Sequence, residues 1–220
     1  MQLYIDTASE SDAREFARYG FIDGVTTNPS LVASTDSSYR TVVETLADAV
    51  DGPVFAQVLA EDADGMVEQA RTYDAWADDV VVKLPATRAG YEALGRIRAD
   101  GIEAGITVLF SVTQAILAAK NDATFVAPYV GRLDDAGEDG LEVVAGIQTA
   151  FDEYGFETEV LAASVRNRRQ ATALYRAGVD AVTLPPTVLE AHFDHHKTAE
   201  GVAGFLSDWG TRGNPIESDD

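Results

Sequence analysis

The sequence predicts one α/β domain, a closed (β/α)8 barrel of the TIM type carrying an extra C-terminal helix. Three observations predict it. Eight short apolar runs alternate with helical patterns, and such alternation means βαβ units around a parallel sheet. The first strand runs into Asp6-Thr-Ala-Ser without the Gly-rich phosphate loop of an open nucleotide-binding sheet. Eight units in 220 residues close most simply as a barrel, at the short end of the usual size range.

The elements follow in order. Leu3–Thr7 is a strand ending in an acid. Ser9 to Gly20 is a helix with Ser9 as N-cap, an apolar stripe of Ala13, Phe16 and Ala17, and Gly20 as stop. Gly24 to Asn28 is a strand that Pro29 ends. A helix over Ser38–Val50, a strand over Pro53–Val58 and a helix over Ala63–Ala77 come next. Asp79–Pro85 is the fourth strand, followed by a helix over Thr87–Asp100 that Gly101 ends. Ile106–Phe110 is a strand, Val112–Lys120 a helix and Phe125–Val130 a strand. The Gly137–Gly140 turn leads into a helix reaching Tyr154. Glu159–Ser164 is a strand, Asn167–Ala177 a helix closed by Gly178, and Ala181–Pro185 the eighth strand. Helices over Thr187–Phe193 and Thr198–Trp209 finish the domain, which spans 1–212; residues 213–220 read as a flexible acidic tail.

Composition narrows the function. With no cysteine, the chain has no disulfide, thiol chemistry or cysteine-bound metal. No run of about 18 apolar residues suggests a membrane span, and the first residues enter a strand pattern with no basic-then-apolar leader. A cytoplasmic location is expected. The net charge of −21 argues against nucleic acid, whose phosphates need a basic face. The acids are interspersed among apolar periodic positions, so they read as a solvated surface rather than as disorder. Such a surface with few lysines resembles proteins of salt-loving organisms, where salt screens the self-repulsion.

The chemistry centres on Val80-Val-Val-Lys83-Leu-Pro85. Three valines mark a strand buried on both faces, and a lysine closes it. Only Lys83, Lys120 and Lys197 are lysines, against thirteen arginines. Desolvation lowers a lysine pKa, and the neutral amine attacks carbonyls to form a Schiff base. The plain alternative is a lysine that snorkels to solvent.

A barrel of this kind builds its active site from the C-terminal strand ends. Those ends read Asp6, Asn28 with Thr26 on the same face, Gln57, Lys83, Thr107, Tyr129, Ser164 and Pro185. One amine, one carboxylate, one phenol and several neutral hydrogen-bonding groups suit C–C bond chemistry through an imine, with Asp6 as the candidate proton carrier. Each residue also has a structural alternative. Asp6 could cap the following helix. Thr26, Asn28 and Thr107 could satisfy loop backbone, and Tyr129 could simply pack with its hydroxyl bonded. Arg132 and Arg166 fall on loops at the same mouth and suggest an anion such as a substrate phosphate; the alternative is pairing with surface acids such as Asp134 or Asp135. His192, His195 and His196 lie between the last two helices, away from the strand ends, and read as a surface or interhelical cluster rather than a metal site. Imine chemistry calls for neither metal nor cofactor.

These stretches resemble a known family. Leu-Tyr-Ile-Asp6-Thr, Gly24-Val-Thr-Thr-Asn28-Pro-Ser, Val-Val-Lys83-Leu-Pro, Ala-Pro-Tyr129-Val-Gly-Arg132-Leu-Asp-Asp and Leu-Ala-Ala-Ser164 are similar to the small transaldolase family, which includes fructose-6-phosphate aldolase. The resemblance runs from residue 1 to about 209, with the motifs in order. It implies the barrel, Lys83 as Schiff-base lysine and Asp6 as proton-transfer acid. It implies Asn28, Thr26 and Ser164 on the hydroxyls of a dihydroxyacetone unit, and Arg132 and Arg166 on the phosphate of a sugar-phosphate substrate. It also implies a homo-oligomer, decamer or pentamer, whose C-terminal helix packs on a neighbour, with Phe205 and Trp209 as interface candidates. The alternative for both is burial in their own core.

Within the family, transaldolases usually carry Glu, Asn, Ser and Phe where this chain has Gln57, Gly105, Ala127 and Tyr129. Gln57, Ala127 and Tyr129 look like the aldolase. Gln57, Tyr129 and Thr107 would position a water that exchanges protons with the imine. Leu109–Lys120 and Val130–Gly140 look more like transaldolases. The expectation is an aldolase acting on the C3–C4 bond of fructose 6-phosphate; the alternative is transfer of the dihydroxyacetone unit between sugar phosphates. A non-catalytic sugar-phosphate-binding barrel and a metal-dependent aldolase are the remaining rivals.

Overall fold

The computed structural model describes residues 1–210 and 212. The expected acidic tail at 213–220 lies outside the described residues. In chain order the elements are β1 (Gln2–Asp6), α1 (Glu10–Ala17), β2 (Gly24–Thr26), α2 (Pro29–Val32), α3 (Tyr39–Ala47), β3 (Val54–Gln57), α4 (Ala63–Asp74), β4 (Val80–Pro85), α5 (Arg88–Ala99) and β5 (Ala104–Leu109). They continue with α6 (Val112–Lys120), β6 (Phe125–Pro128), α7 (Val130–Asp135), α8 (Gly140–Tyr154), β7 (Glu159–Ala162), α9 (Arg168–Ala177), β8 (Ala181–Leu184), α10 (Pro186–Phe193) and α11 (His196–Trp209).

The strands pair in sequence order, all parallel, and β8 returns to β1 to close the barrel. The expected architecture is therefore the observed one. Closure leaves no strand edge, so the short apolar strands have every neighbour they need. Each strand shows the helices one face and the barrel axis the other. The larger apolar cluster lies between strands and helices, including Ile5, Val25, Val54, Val82, Ile106, Val126, Val160 and Val182. A smaller one fills the barrel axis: Tyr4, Phe55, Val81, Phe125, Ala127, Leu161, Ala163 and Ala181.

Three aromatic rings dominate that inner layer. Phe55 meets Tyr4 and Phe125 edge-on, each at 5.1 Å between ring centres. Gly105 makes the layer possible. A Cβ at Gly105 would lie 2.2 Å from the Phe125 carbonyl oxygen and 2.5 Å from its ring. The aromatic side chain on β6 takes the space that a side chain on β5 would need.

Most helix starts are capped by residues past the strand ends, which leaves Asp6, Gln57 and Lys83 free for other work. Ser9, Asp62, Thr87, Ser111, Asp139 and Asn167 each accept a backbone N–H of the helix that follows. Two short helices, α2 and α7, stand where the sequence predicts no helix. Both are single turns or little more, too short for an apolar period to declare itself. Strands β2, β6 and β7 end earlier than expected, so Asn28, Tyr129 and Ser164 sit just beyond the ladder. Tyr129 still bridges Ala163.

The last helix, α11, contains no buried residue. Phe205 is 77% exposed, and Val202, Leu206 and Trp209 are exposed too. Burial of Phe205 and Trp209 in the chain's own core is thus not what the fold provides. Among the described residues no helix is long and apolar enough to cross a membrane.

Candidate active site

A cavity of ≈ 400 Å³ opens at the C-terminal end of the barrel strands. It is lined by Asp6, Thr26, Asn28, Gln57, Lys83, Thr107, Tyr129, Arg132 and Ser164, with Thr183 and Val108 among the others. Nine of the ten residues singled out from the sequence thus line one cavity; Arg166 does not.

Lys83 reaches this cavity from β4. Its ladder partners are Gln57 on β3 and Gly105 on β5, and paired residues of parallel strands face the same side. Only 5% of Lys83 is exposed, so it does not snorkel. Its Nζ donates to the backbone carbonyl of Thr27. Burial lowers the Lys83 pKa to about 8, and the Asp6 carboxylate only partly opposes this. An appreciable fraction of the amine is therefore neutral near neutrality, the condition for attack on a carbonyl.

Asp6 ends β1 and caps nothing; Ser9 performs that task for α1. Burial pushes the Asp6 carboxyl up from its ordinary range, against the Lys83 ammonium and a hydrogen bond from Thr26. Thr26 Oγ1 donates to Asp6 Oδ1 at 2.8 Å and lies 2.6 Å from Thr183 Oγ1. An amine with a lowered pKa facing a carboxyl with a raised one is the arrangement expected of an acid/base pair.

On the opposite wall Thr107 Oγ1 donates to the Tyr129 hydroxyl at 3.1 Å. The Tyr129 proton is thereby not used on Thr107 and is free for another acceptor. Burial raises the Tyr129 pKa, with the Thr107 hydrogen bond opposing, so the phenol stays protonated. A register shift between Ile106 and Leu109 puts Val108 at φ 53°, a left-handed conformation strained for a β-branched residue. This kink lets consecutive residues Thr107 and Val108 both line the cavity. Gln57 is fixed through its backbone: its N–H donates to the Tyr39 hydroxyl at 2.6 Å, and that hydroxyl donates to its carbonyl at 3.1 Å.

Asn28 has two duties. Its Oδ1 accepts from the backbone of Ser30 and Leu31, capping α2, which leaves its amide donors for the cavity. Ser164 adopts φ 57°, and its carbonyl accepts from Gly131. A Cβ at Gly131 would sit 2.5 Å from that oxygen and from Arg166 Nε, so glycine permits the close approach.

The two arginines separate. Arg132 lines the cavity with its guanidinium 5.4 Å from the Tyr129 ring centre. Among the described residues it makes no ion pair. Arg166 instead forms a two-pronged pair with Asp135. The histidines are engaged elsewhere: His192 bonds the Val188 carbonyl and the Tyr175 hydroxyl, and His195 accepts from Lys197 N–H.

The sequence reading missed Thr183 and Tyr39. Thr183 was legible by the rule that found Thr26: it stands two residues before the polar or breaking residue at its strand end. Tyr39 lies on a helix 18 residues from Gln57, and no local pattern links them.

A family model described as transaldolase/fructose-6-phosphate aldolase matches residues 3–216. A probable transaldolase of Lactiplantibacillus plantarum is 42% identical over 209 residues, covering 95% of this chain and 96% of the relative. A probable transaldolase of Methanococcus maripaludis is 43% identical over 209 residues, covering 95% and 97%. Among solved structures, a flavocytochrome b2 variant superposes with a TM-score of 0.62 at 13% identity, covering 94% of this chain and 62% of the other. A mandelate oxidase variant gives 0.59 at 13% identity, covering 94% and 72%. These two likenesses concern the barrel alone.

Proposed function

The chain belongs to the transaldolase/fructose-6-phosphate aldolase family, a family of enzymes, and from that premise we propose that it is a Schiff-base aldolase of a ketose phosphate such as fructose 6-phosphate. The observation that carries this reading is Lys83, buried on β4 with its pKa lowered to about 8 beside the carboxyl of Asp6. Lys83 Nζ attacks the ketone, and loss of water gives the protonated imine. Asp6 takes the proton of the C4 hydroxyl as the C3–C4 bond breaks, and the aldehyde leaves. The electron pair of the broken bond is held as an enamine on the dihydroxyacetone unit. Thr26, Asn28 and Ser164 hold that unit's hydroxyls. A water positioned by Tyr129, Thr107 and Gln57 then relays the proton held by Asp6 to the enamine carbon, and hydrolysis of the resulting imine frees dihydroxyacetone and the lysine.

The names of the relatives favour a second reading, transfer of the dihydroxyacetone unit to an acceptor aldehyde. The deciding experiment is product analysis with fructose 6-phosphate, with and without erythrose 4-phosphate, in high salt to suit the acidic surface. Free dihydroxyacetone without acceptor is the expected result. Sedoheptulose 7-phosphate formed only with acceptor would replace it with the transferase reading.

Arg132 supplies the first contact for the substrate phosphate, because it is a cation at the mouth outside any ion pair among the described residues. Arg166 joins it once its pair with Asp135 loosens. Arg132→Ala is expected to raise KM for phosphorylated sugars roughly 10- to 100-fold. KM for an unphosphorylated acceptor such as glyceraldehyde should move far less; equal effects on both would assign Arg132 a structural part. The exposed apolar face of α11 supports a homo-oligomer in which this helix packs on a neighbouring copy.

A further inference from the structure

Thr183 lies in the eighth strand and is 3% exposed, with its partner Thr26 2% exposed. Thr26 has one hydroxyl proton, and it points to Asp6 Oδ1. The 2.6 Å contact to Thr183 must then run the other way, Thr183 donating and Thr26 accepting. Three strands thus form one directional chain, Thr183 to Thr26 to Asp6, ending on a carboxylate. If Asp6 takes up a proton, the chain can reverse. The Asp6 O–H donates to Thr26, Thr26 donates to Thr183, and the Thr183 hydroxyl turns into the cavity it lines. No covalent bond forms or breaks in this reversal; two hydroxyl rotors turn.

We propose that Thr183 is a positioning residue for the proton-transfer step, holding Thr26 so that Asp6 is hydrogen-bonded in both of its protonation states. The inference rests on Asp6 being the proton carrier. Its physical basis is cooperativity: a hydroxyl that accepts a hydrogen bond is a better donor, and the benefit is larger toward a charged acceptor. Thr183 therefore favours the Asp6 carboxylate over the acid. The titratable groups facing Asp6 are Lys83 from β4 and Tyr129 from the residue after β6. The neighbouring strands β2 and β8 add only the hydroxyls of Thr26 and Thr183, β3 adds the Gln57 amide, and α7 adds the Arg132 cation at the mouth. On α10, which packs on β1, His192 is turned toward Tyr175 and Val188.

The test is the pH dependence of kcat for Thr183→Val, which keeps the shape and removes the hydroxyl, beside Thr183→Ser and Asp6→Asn. With kcat read as the single-turnover rate of bond cleavage from the preformed imine, Lys83 no longer titrates and the acid limb reports Asp6 in the covalent complex. The expected result is an acid limb shifted up by about half a pH unit in the valine variant, with kcat lowered several-fold, and a wild-type profile in the serine variant. A valine variant that is folded by circular dichroism and keeps the wild-type limb would overturn the proposal. So would a serine variant that behaves like valine, since packing would then be the cause. If Asp6→Asn keeps the acid limb, the assignment of Asp6 fails first and the role of Thr183 falls with it.

Discussion

Lys83→Met is expected to lower kcat/KM by roughly a thousandfold or more, because no other described residue in the cavity carries an amine. Borohydride added with substrate should place its mass on the Lys83 peptide of the wild type and nowhere in the variant. Labelling of Lys120 or Lys197 instead would refute the imine assignment. The same variant changes stability in a pH-dependent way whose sign is fixed by the direction of the shift. Unfolded, the lysine holds its proton to its ordinary value of 10.5; folded, it releases it at about 8. Between those values the unfolded chain binds more protons, so this group adds stability as pH rises and adds none as pH falls below 8. The wild type should gain on Lys83→Met across that window, by at most roughly 3 kcal/mol. Urea midpoints at pH 7.5 and 10 measure it, and a difference that stays level or falls would mean the amine is solvated.

Tyr129→Phe is expected to lower dihydroxyacetone release relative to transfer by roughly 10- to 100-fold, because the positioned water loses its donor. Thr107 donates to the Tyr129 oxygen, so the phenol proton is free for a water in the cavity that Tyr129 lines, and burial keeps it on. The phenylalanine variant also leaves the fully buried Thr107 hydroxyl without its acceptor, at a cost of roughly 1–3 kcal/mol in stability. Product ratios with and without acceptor aldehyde, read together with a urea midpoint, separate the two effects. A ratio unchanged in a folded variant would remove the case for water control by Tyr129. Arg132→Ala acts on another quantity, substrate affinity, so the two should combine nearly additively despite the contact between their side chains only if that contact does no work in the reaction.

Much of the site was readable because barrel geometry converts a one-dimensional feature, the last polar residue of a strand, into a shared location. Asp6 and Gln57 end β1 and β3 as read, Lys83 stands two residues before the end of β4, and all three line the cavity. Asn28, Tyr129 and Ser164 line it as well, although the ladder stops before each of them. Arg166 was placed by the same counting and does not line the cavity, because a side chain with several rotatable bonds goes to its best partner, here Asp135. Sequence distance cannot register that choice. Nor could it register Tyr39, which holds Gln57 from another element.

What the sequence determined by itself was the alternation of eight strands with helices, the place of a lysine after three valines of an apolar strand, and the absence of any thiol. These depend on local periodicity and composition, which need no knowledge of neighbours. Only the tertiary structure decided which hydroxyl donates to which. The Thr183–Thr26–Asp6 chain and the Thr107–Tyr129 bond both join residues from different strands. In the first, direction follows from counting protons, because Thr26 gives its single hydroxyl proton to the Asp6 carboxylate and must accept from Thr183; in the second, closure of the barrel brings the two oxygens to 3.1 Å with Thr107 as donor.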